Sequence, residues 1–192
     1  MIDELVDTGE RGMKMRKVVA AEYLTLDGVM EEPAWTMPYW NDELAQLQGD
    51  LLDASDALLL GRVTYQAFAQ VWPTSKDEGA EQINNMPKFV ASTTLQETEW
   101  NATLIEGDVV EEVAQLKQQS GQDRLIYGSG KLVRSLMPHN LIDEYRLMVC
   151  PIALGSGQRL FADNSKANLE LVDTKTTRTG VVVLTYRTAK AA

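Results

Sequence analysis

The sequence predicts an α/β domain built on a mainly parallel sheet with helices on both faces. Up to Pro138, apolar runs of strand length alternate with segments whose apolar residues recur at helical spacing. Beyond Pro138 the helical pattern stops and strand-like runs follow, which predicts an antiparallel edge. The 192 residues are 44% hydrophobic and 24% charged. A single domain of this length can bury a substantial core without a metal ion or a disulfide bond.

The first half reads strand, helix, strand, helix. An apolar run at 18–25 predicts the first strand, and the turn pair Asp27-Gly28 ends it. A loop with two prolines leads to a predicted helix at 41–52, where leucines recur at helical spacing. The next strand and helix are predicted at 57–60 and 63–68.

The second half continues the alternation and then closes with strands. A helix is predicted at 109–119, where Asp108 stands as N-cap and Glu111 completes a capping-box pattern. A shorter helix follows the glycine turn at 128–130 and is closed by Pro138. The remaining strands are predicted at 88–91, 103–105, 124–127, 144–150, 169–173 and 181–187.

Charge and composition exclude several classes of partner. With 18 basic and 28 acidic residues the net charge is −10. Nucleic acids and anionic membranes reward clusters of Lys and Arg, which are absent, so we expect neither as a partner. The sequence has one cysteine, Cys150, and one histidine, His139. These two residues cannot supply the usual zinc ligand sets, so we expect no metal site.

The sequence predicts an N-terminal leader followed by one domain. Residues 1–14 are acidic and hold no apolar stretch of signal-peptide length, so we expect a flexible leader and a cytoplasmic location. Residues 15–192 contain no linker or repeat and are expected to form a single domain.

Two glycine turns each follow an apolar strand and open a helix. At such a turn the first helical amides are unpaired and carry the positive end of the helix dipole, which favours phosphate. The turn at 61–64 adds Arg62 and Thr64, whereas the turn at 128–132 offers mainly bare amides. Together they suit the pyrophosphate of a dinucleotide. The alternative is that each glycine only makes a tight turn.

Three common motifs are absent. Val133 stands where the G-x-G-x-x-G fingerprint needs its last glycine, and Leu125 stands where a P-loop needs its first. Neither Ser129 nor Ser156 sits in a Gly-x-Ser-x-Gly elbow. The sequence therefore disfavours a Rossmann dehydrogenase, a P-loop ATPase and a serine hydrolase.

Four short motifs occur in order: Leu24-Thr25-Leu26-Asp27-Gly28, Leu60-Gly61-Arg62-Val63-Thr64-Tyr65, Tyr127-Gly128-Ser129-Gly130 and Pro151-Ile152-Ala153-Leu154-Gly155-Ser156-Gly157. Together they resemble the dihydrofolate reductase superfamily, and more closely its bacterial branch related to the C-terminal domain of the riboflavin biosynthesis protein RibD. The resemblance covers residues 16–187. It implies a three-layer fold with a mostly parallel eight-stranded sheet that binds NADPH across the carboxyl ends of its strands.

The resemblance also implies which residues hold NADPH. Arg62 is placed to recognise the 2′-phosphate, the late glycine turn receives the pyrophosphate, and the loop at 26–28 closes over the nicotinamide. The alternative to these cofactor-binding roles is that Arg62 is a solvated surface residue and that Ser92 only caps a turn. The implied cofactor-binding set is Leu26, Gly28, Gly61, Arg62, Thr64, Ser92, Thr93, Gly128, Ser129, Gly130, Lys131 and Leu132.

Reduction also requires a proton, which a buried carboxyl with a raised pKa can deliver. Dihydrofolate reductases carry an acid on the first helix, and Asp42 or Glu43 lies near that place. Both also fit first-turn acids that the helix dipole favours. Glu22 interrupts the first strand on the face opposite Tyr23 and points either into the cleft or to solvent. The predicted catalytic candidates are Asp27, Asp42, Glu43 and Glu22.

Aromatic residues near the first helix are candidates for substrate binding. Trp35, Tyr39 and Trp40 are able to form a stacking wall for a flat heterocycle, or alternatively a hydrophobic lid or a dimer contact. Tyr23, near the end of the first strand, joins them as the fourth predicted substrate-binding residue.

The sequence thus predicts a homodimeric, NADPH-dependent reductase that passes hydride to a small heterocycle, such as a pterin or a ribosylaminopyrimidine. Such an enzyme places its cofactor in dry surroundings and needs little side-chain chemistry of its own. The rival prediction is a nucleotide-binding module or a homodimeric interaction protein that keeps the fold without catalysis.

Overall fold

The computed structural model of the chain describes residues 16–161 and 165–189. The leader expected at 1–14 lies outside the described residues. The strands are β1 (Val18–Leu24), β2 (Ser55–Gly61), β3 (Lys88–Ala91), β4 (Ala102–Leu104), β5 (Asp123–Tyr127), β6 (Glu144–Val149), β7 (Leu169–Thr176) and β8 (Val182–Thr188). The α-helices are α1 (Asp42–Asp53), α2 (Arg62–Val71), α3 (Ala80–Asn85), α4 (Val109–Gln118) and α5 (Gly130–Leu136).

The strands form one sheet in the order β4-β3-β2-β5-β1-β6-β8-β7. All pairings among β1 to β6 are parallel, whereas β8 runs antiparallel to both of its neighbours, β6 and β7. The predicted architecture, a mostly parallel sheet with antiparallel C-terminal strands and helices around it, is therefore confirmed.

The chain reverses its direction across the sheet at β1 and β5. From β1 it passes through α1 to β2 on one side, and from β5 through α5 to β6 on the other. Because such crossovers are right-handed, α1 and α5 cover opposite faces. Leu44 of α1 and Leu132 of α5 accordingly belong to two different core clusters. Open α/β sheets bind ligands in the crevice at such a point, outside the carboxyl ends of the strands.

Burial explains the continuous apolar runs of the central strands. Ala57 to Leu60 of β2 and Leu125 with Ile126 of β5 are all fully buried. A strand with helices over both faces has no solvent side, so its sequence does not alternate.

Two local elements differ from the sequence expectation. Residues 80–85 form α3, a single short helix that buries only Ala80 and Ile83, so no helical period could show in the sequence. The segment expected as a loop, Pro33–Tyr39, is a 3-10 helix. Proline suits its first position, because its φ is preset and its missing N–H needs no partner there. The Asp108 cap is present, since its carboxylate accepts the Val110 and Glu111 amides.

Candidate functional site

The two glycine turns lie in contact at the carboxyl ends of β2 and β5, which are neighbours in the sheet. The Gly61 amide donates to Ser129 Oγ at 2.9 Å, and the Ser129 amide donates to Thr64 Oγ1 at 3.0 Å. A Cβ added to Gly128 would lie 3.2 Å from Thr64 Oγ1, which is tighter than an ordinary contact. Thr64 and Ser129 thus join the two turns to each other.

The helices that begin at these turns lack a capping side chain among the described residues. By contrast, Asn41 caps α1 and Asp108 caps α4. The first-turn amides of α5, at residues 130–132, have no carbonyl four residues earlier in the helix to bind. Ser129 precedes them in the left-handed region with a φ of 60°. An anion at this point can therefore accept from several backbone amides at once.

Arg62 lies exposed at the start of α2, where its Nη1 donates to Gln66 Oε1 at 3.0 Å. Gly61 pairs with Ala91, so the chain leaves β3 at the same end of the sheet at which α2 begins. There Ser92 Oγ accepts the amides of Thr94 and Leu95, at 3.2 and 3.0 Å. Ser92 therefore shapes its own turn, as in the capping alternative, and Thr93 beside it is exposed.

The loop after β1 is tied to a second loop at 150–160. Asp27 accepts the Leu154 and Gly155 amides at 3.2 and 2.8 Å and the Thr25 hydroxyl at 2.6 Å. The Thr25 hydrogen bond, followed by those amides, lowers the pKa of Asp27 to about 2. Asp27 is thus an ionised carboxylate that links two loops, and in this state it has no proton to donate. Leu26 beside it leaves 68% of its surface exposed.

The same loop rests on the start of α5 through residues that the sequence reasoning missed. A Cβ added to Gly130 would lie 2.5 Å from Met30 Sδ, so the glycine lets the Met30 side chain cover the helix start. Arg134 donates to the Arg159 carbonyl at 2.8 Å, and Arg159 Nε donates to the Asp27 carbonyl at 2.8 Å. Spacing gives no signal for these contacts, because they join segments far apart in the chain.

Glu22 is buried, with 1% of its surface exposed, so the solvent-reaching alternative is wrong. By alternation it shares a face of β1 with Ala20 and Leu24, which pack in the same core cluster as α5. Its Oε1 has no hydrogen-bond partner among the described residues. Burial raises the pKa of the Glu22 carboxyl well above its usual value.

Asp42 and Glu43 meet the hairpin between β7 and β8. The Arg178 amide donates to Glu43 Oε2 at 2.8 Å, and the Arg178 guanidinium lies 3.6 Å from the same oxygen and 4.0 Å from Asp42. Asp42 is fully exposed. Both carboxylates therefore match the alternative of first-turn acids at the start of α1.

Three of the four aromatic candidates pack against the core cluster under α1, namely Tyr23, Trp35 and Tyr39. The Trp35 indole donates to the Glu31 carbonyl at 3.0 Å. Trp40 is 50% exposed. Tyr127, which the sequence reasoning did not select, packs against the same cluster from the end of β5.

A groove of about 610 Å³ lies at the opposite end of the sheet. Ser55 and Asp56 line it at the amino end of β2. The Asp56 carboxylate is bound by Arg16 and Arg124, which are themselves buried. This groove is therefore remote from the glycine turns, and its acid is occupied by structural ion pairs.

In residues 16–161 and 165–189, no cluster of three or more His, Cys, Asp or Glu side chains is arranged to hold a metal ion. Over the same ranges, no helix has the length and apolar character that crossing a membrane requires.

Residues 16–183 match the family model of the RibD C-terminal domain. The chain belongs to this family. YyaP, an uncharacterised protein of Bacillus subtilis strain 168, is 31% identical over 180 residues, which cover 91% of this chain and 96% of YyaP.

Solved structures share the dihydrofolate reductase-like fold. A candidate riboflavin biosynthesis protein of Shewanella sp. PV-4 gives a TM-score of 0.73 at 21% identity, covering 91% of this chain and 99% of the other. The deaminase and 5-amino-6-(5-phosphoribosylamino)uracil reductase of Thermotoga maritima gives 0.66 at 16%, covering 92% and 57%. Dihydrofolate reductase of Enterococcus faecalis, complexed with NADP(H) and RAB-propyl, gives 0.63 at 15%, covering 91% and 97%. Family and fold together point to a reductase-type enzyme.

Proposed function

We propose that this chain is an NADPH-dependent reductase acting on a small heterocycle of the pterin or ribosylaminopyrimidine class. The observation that carries the proposal is the contact between the two glycine turns at the carboxyl ends of β2 and β5, next to the place where the chain reverses its direction across the sheet. The starts of α2 and α5 thus lie side by side, and their unpaired first-turn amides are the groups that we assign to a diphosphate.

The residues of the crevice fit an extended dinucleotide. A side chain at position 128 would crowd Thr64, and one at 130 would crowd Met30, so the glycines let both turns pack closely against these side chains. We assign the pyrophosphate to the amides of residues 130–132, and the 2′-phosphate to Arg62, with Thr93 beside it. When bound, NADPH would supply a hydride, that is, one hydrogen together with two electrons, to the substrate. The loop around Leu26, braced by Asp27, would then exclude water from the nicotinamide.

Glu22 is the proposed proton reservoir among the four candidate carboxyls. Burial raises its pKa well above the usual value, so it keeps its proton to a higher pH than an exposed glutamate does. Asp27 has its pKa lowered to about 2, and Asp42 and Glu43 are engaged at the surface with Arg178. Glu22→Gln should slow NADPH oxidation without weakening NADPH binding.

Arg62 provides the sharpest test of the cofactor assignment. Arg62→Ala should weaken NADPH by about 1–3 kcal/mol, the value of a charge-assisted contact, and leave NADH almost unchanged, because NADH lacks the 2′-phosphate. Quenching of tryptophan fluorescence measures both affinities. Arg187→Ala is the matched control, since this exposed arginine pairs with Glu170 at the far edge of the sheet. Equal losses for both cofactors would contradict the role of Arg62.

A nucleotide-binding module without catalysis is the second candidate. Three of the four candidate carboxylates are engaged in structural contacts, which favours it. NADPH that binds but is never oxidised by pterins, flavin precursors or quinones would support this module, whereas steady oxidation supports the reductase. A homodimer and a cytoplasmic location remain predictions, and sedimentation tests the first.

A further inference from the structure

Two tyrosines lie near the carboxyl ends of adjacent strands, on the face of the sheet that α1 covers. Tyr127 is the last residue of β5, and Tyr23 is the last but one of β1, the adjacent strand. Ala21 pairs with Tyr127 in the parallel register, so Tyr23 lies two residues further along the same face. Both rings pack against the cluster under α1 and both residues are half-buried.

The hydroxyl of Tyr127 is buried and has no hydrogen-bond partner among the described residues. In the part of the chain that the structure describes, the Tyr23 oxygen accepts a single long hydrogen bond of 3.2 Å from Gln48 Nε2, whose second contact is Met148 Sδ at 3.9 Å. A buried hydroxyl without a partner is unfavourable, so a ligand that supplies an acceptor gains from filling this place. Gln48 is half-buried and weakly held, so a ligand can displace its amide readily.

The side chains that shift the pKa of these two hydroxyls are Gln48, Cys150 and Tyr23, and none of them is an acidic or basic residue. Burial raises the pKa of Tyr23 to about 12 and that of Tyr127 further, with Tyr23 as the second cause for Tyr127. The neighbouring Cys150 thiol also has its pKa raised, to about 11, by burial. Glu22 belongs to the opposite face of β1. This face therefore offers two O–H donors, and none of the groups that shift the pKa of either tyrosine is a carboxylate that would hold a cationic aminopyrimidine edge.

We propose that the hydroxyls of Tyr127 and Tyr23 donate hydrogen bonds to a carbonyl oxygen of the substrate, so that the substrate is an uncharged planar ring whose carbonyl is conjugated to the bond that is reduced. This inference rests on the proposed function. Hydride from NADPH adds to the conjugated carbon, the π electron pair moves to the oxygen, and the oxygen then takes its proton from solvent water. Both tyrosines keep their own protons and stabilise the developing charge.

Equilibrium binding tests the proposal without turnover. The probes are 2,4-dioxopteridine and 2,4-diaminopteridine, which share one ring and differ in carbonyl acceptors against amino donors. With saturating NADP⁺ and the fluorescence of the ring as signal, the wild type should prefer the dioxo ring by roughly tenfold. Tyr127→Phe should lower affinity for that ring roughly threefold to tenfold, as expected for one lost hydrogen bond, and leave the diamino ring and NADP⁺ unchanged.

Tyr186→Phe is the matched control, because Tyr186 packs on the opposite face of the sheet. Thermal unfolding verifies that Tyr127→Phe folds, which we expect because the lost hydroxyl has no partner. Undiminished binding of the dioxo ring to Tyr127→Phe overturns the proposal, as does a wild-type preference for the diamino ring or binding of neither ring. Failure of NADP⁺ and NADPH to bind overturns the proposed function itself, which is a separate outcome.

Discussion

Replacing Glu22 by glutamine is expected to remove a pH dependence from the stability of this fold. Glu22 is buried, its Oε1 has no partner among the described residues, and burial raises the pKa of its carboxyl. Glutamine has nearly the same shape and carries no charge at any pH. The variant therefore isolates the cost of holding an ionisable group in an apolar layer.

The sign follows from linkage. In the unfolded chain the Glu22 carboxyl ionises near pH 4.3, a typical value for glutamate. Above that pH the unfolded state loses the proton while the folded state keeps it, so the free energy of unfolding falls as pH rises. The fall is about 1.4 kcal/mol per pH unit and ends at the folded-state pKa. The stabilising contribution is thus full below pH 4 and is lost as the pH rises towards the folded-state pKa.

Urea unfolding of wild type and Glu22→Gln between pH 4 and 8 measures this effect. At pH 4 the variant should be slightly less stable, because its buried amide also lacks a partner. The difference between the two curves should then move in favour of the variant by about 1.4 kcal/mol per unit until it levels off, and the plateau marks the folded-state pKa. Taking the difference cancels the titration of all other groups.

Glu97→Gln is the control, since Glu97 is exposed in the loop after β3. Its difference curve should stay flat over the same range. A flat curve for Glu22→Gln would mean that Glu22 is ionised in the folded protein. That result would refute both the burial argument and the role of Glu22 as a proton reservoir.

Two further substitutions test the turn and the loop. Gly128→Ala should lower the free energy of unfolding by about 1–2 kcal/mol, because Gly128 has a φ of 55° and a Cβ is unfavourable in the left-handed conformation. Gly49→Ala is the control: Gly49 lies in α1 with open space around it, so alanine there should raise the free energy of unfolding. Equal effects of the two substitutions would contradict backbone strain at position 128. Asp27→Asn should weaken the attachment of the loop after β1 to the loop at 150–160 at neutral pH. Acid should do the same in the wild type: with a pKa of about 2, the Asp27 carboxylate is ionised above pH 4 and loses its charge as the pH falls through 2. Faster hydrogen exchange at Gly155 reports the loosening, and unchanged protection there would contradict the bracing role.

The sequence predicted those parts of the fold whose signal is local. The strands from β1 to β6 and the helices α1, α2, α4 and α5 each carry their own apolar run or period, and Asp108 carries a cap. The α3 helix buries only two side chains, so its sequence is too short to show a recurring spacing of apolar residues. The 3-10 helix at Pro33–Tyr39 buries none of its residues, which makes it look like any proline-containing loop.

The environment of Glu22 shows where local reasoning ends. Alternation along β1 correctly separates Glu22 from Tyr23, but it does not tell which face meets solvent. That depends on the crossover from β5 through α5 to β6, which covers the Glu22 face with apolar side chains from residues more than a hundred positions later. Tyr127 was missed for the same reason, because its significance comes from the neighbouring strand β1 and not from its own segment.

Strand order also decides whether the two glycine turns can act together. Neighbouring strands lie about 4.8 Å apart, so turns on adjacent strands reach each other with single side chains, as Ser129 and Thr64 do. β5 enters the sheet between β1 and β2. Had it joined the outer edge beyond β4, three strand spacings, about 14 Å, would separate the turns, and no single hydroxyl would bridge them. The sequence predicts both turns, but only the position of β5 beside β2 brings them into contact.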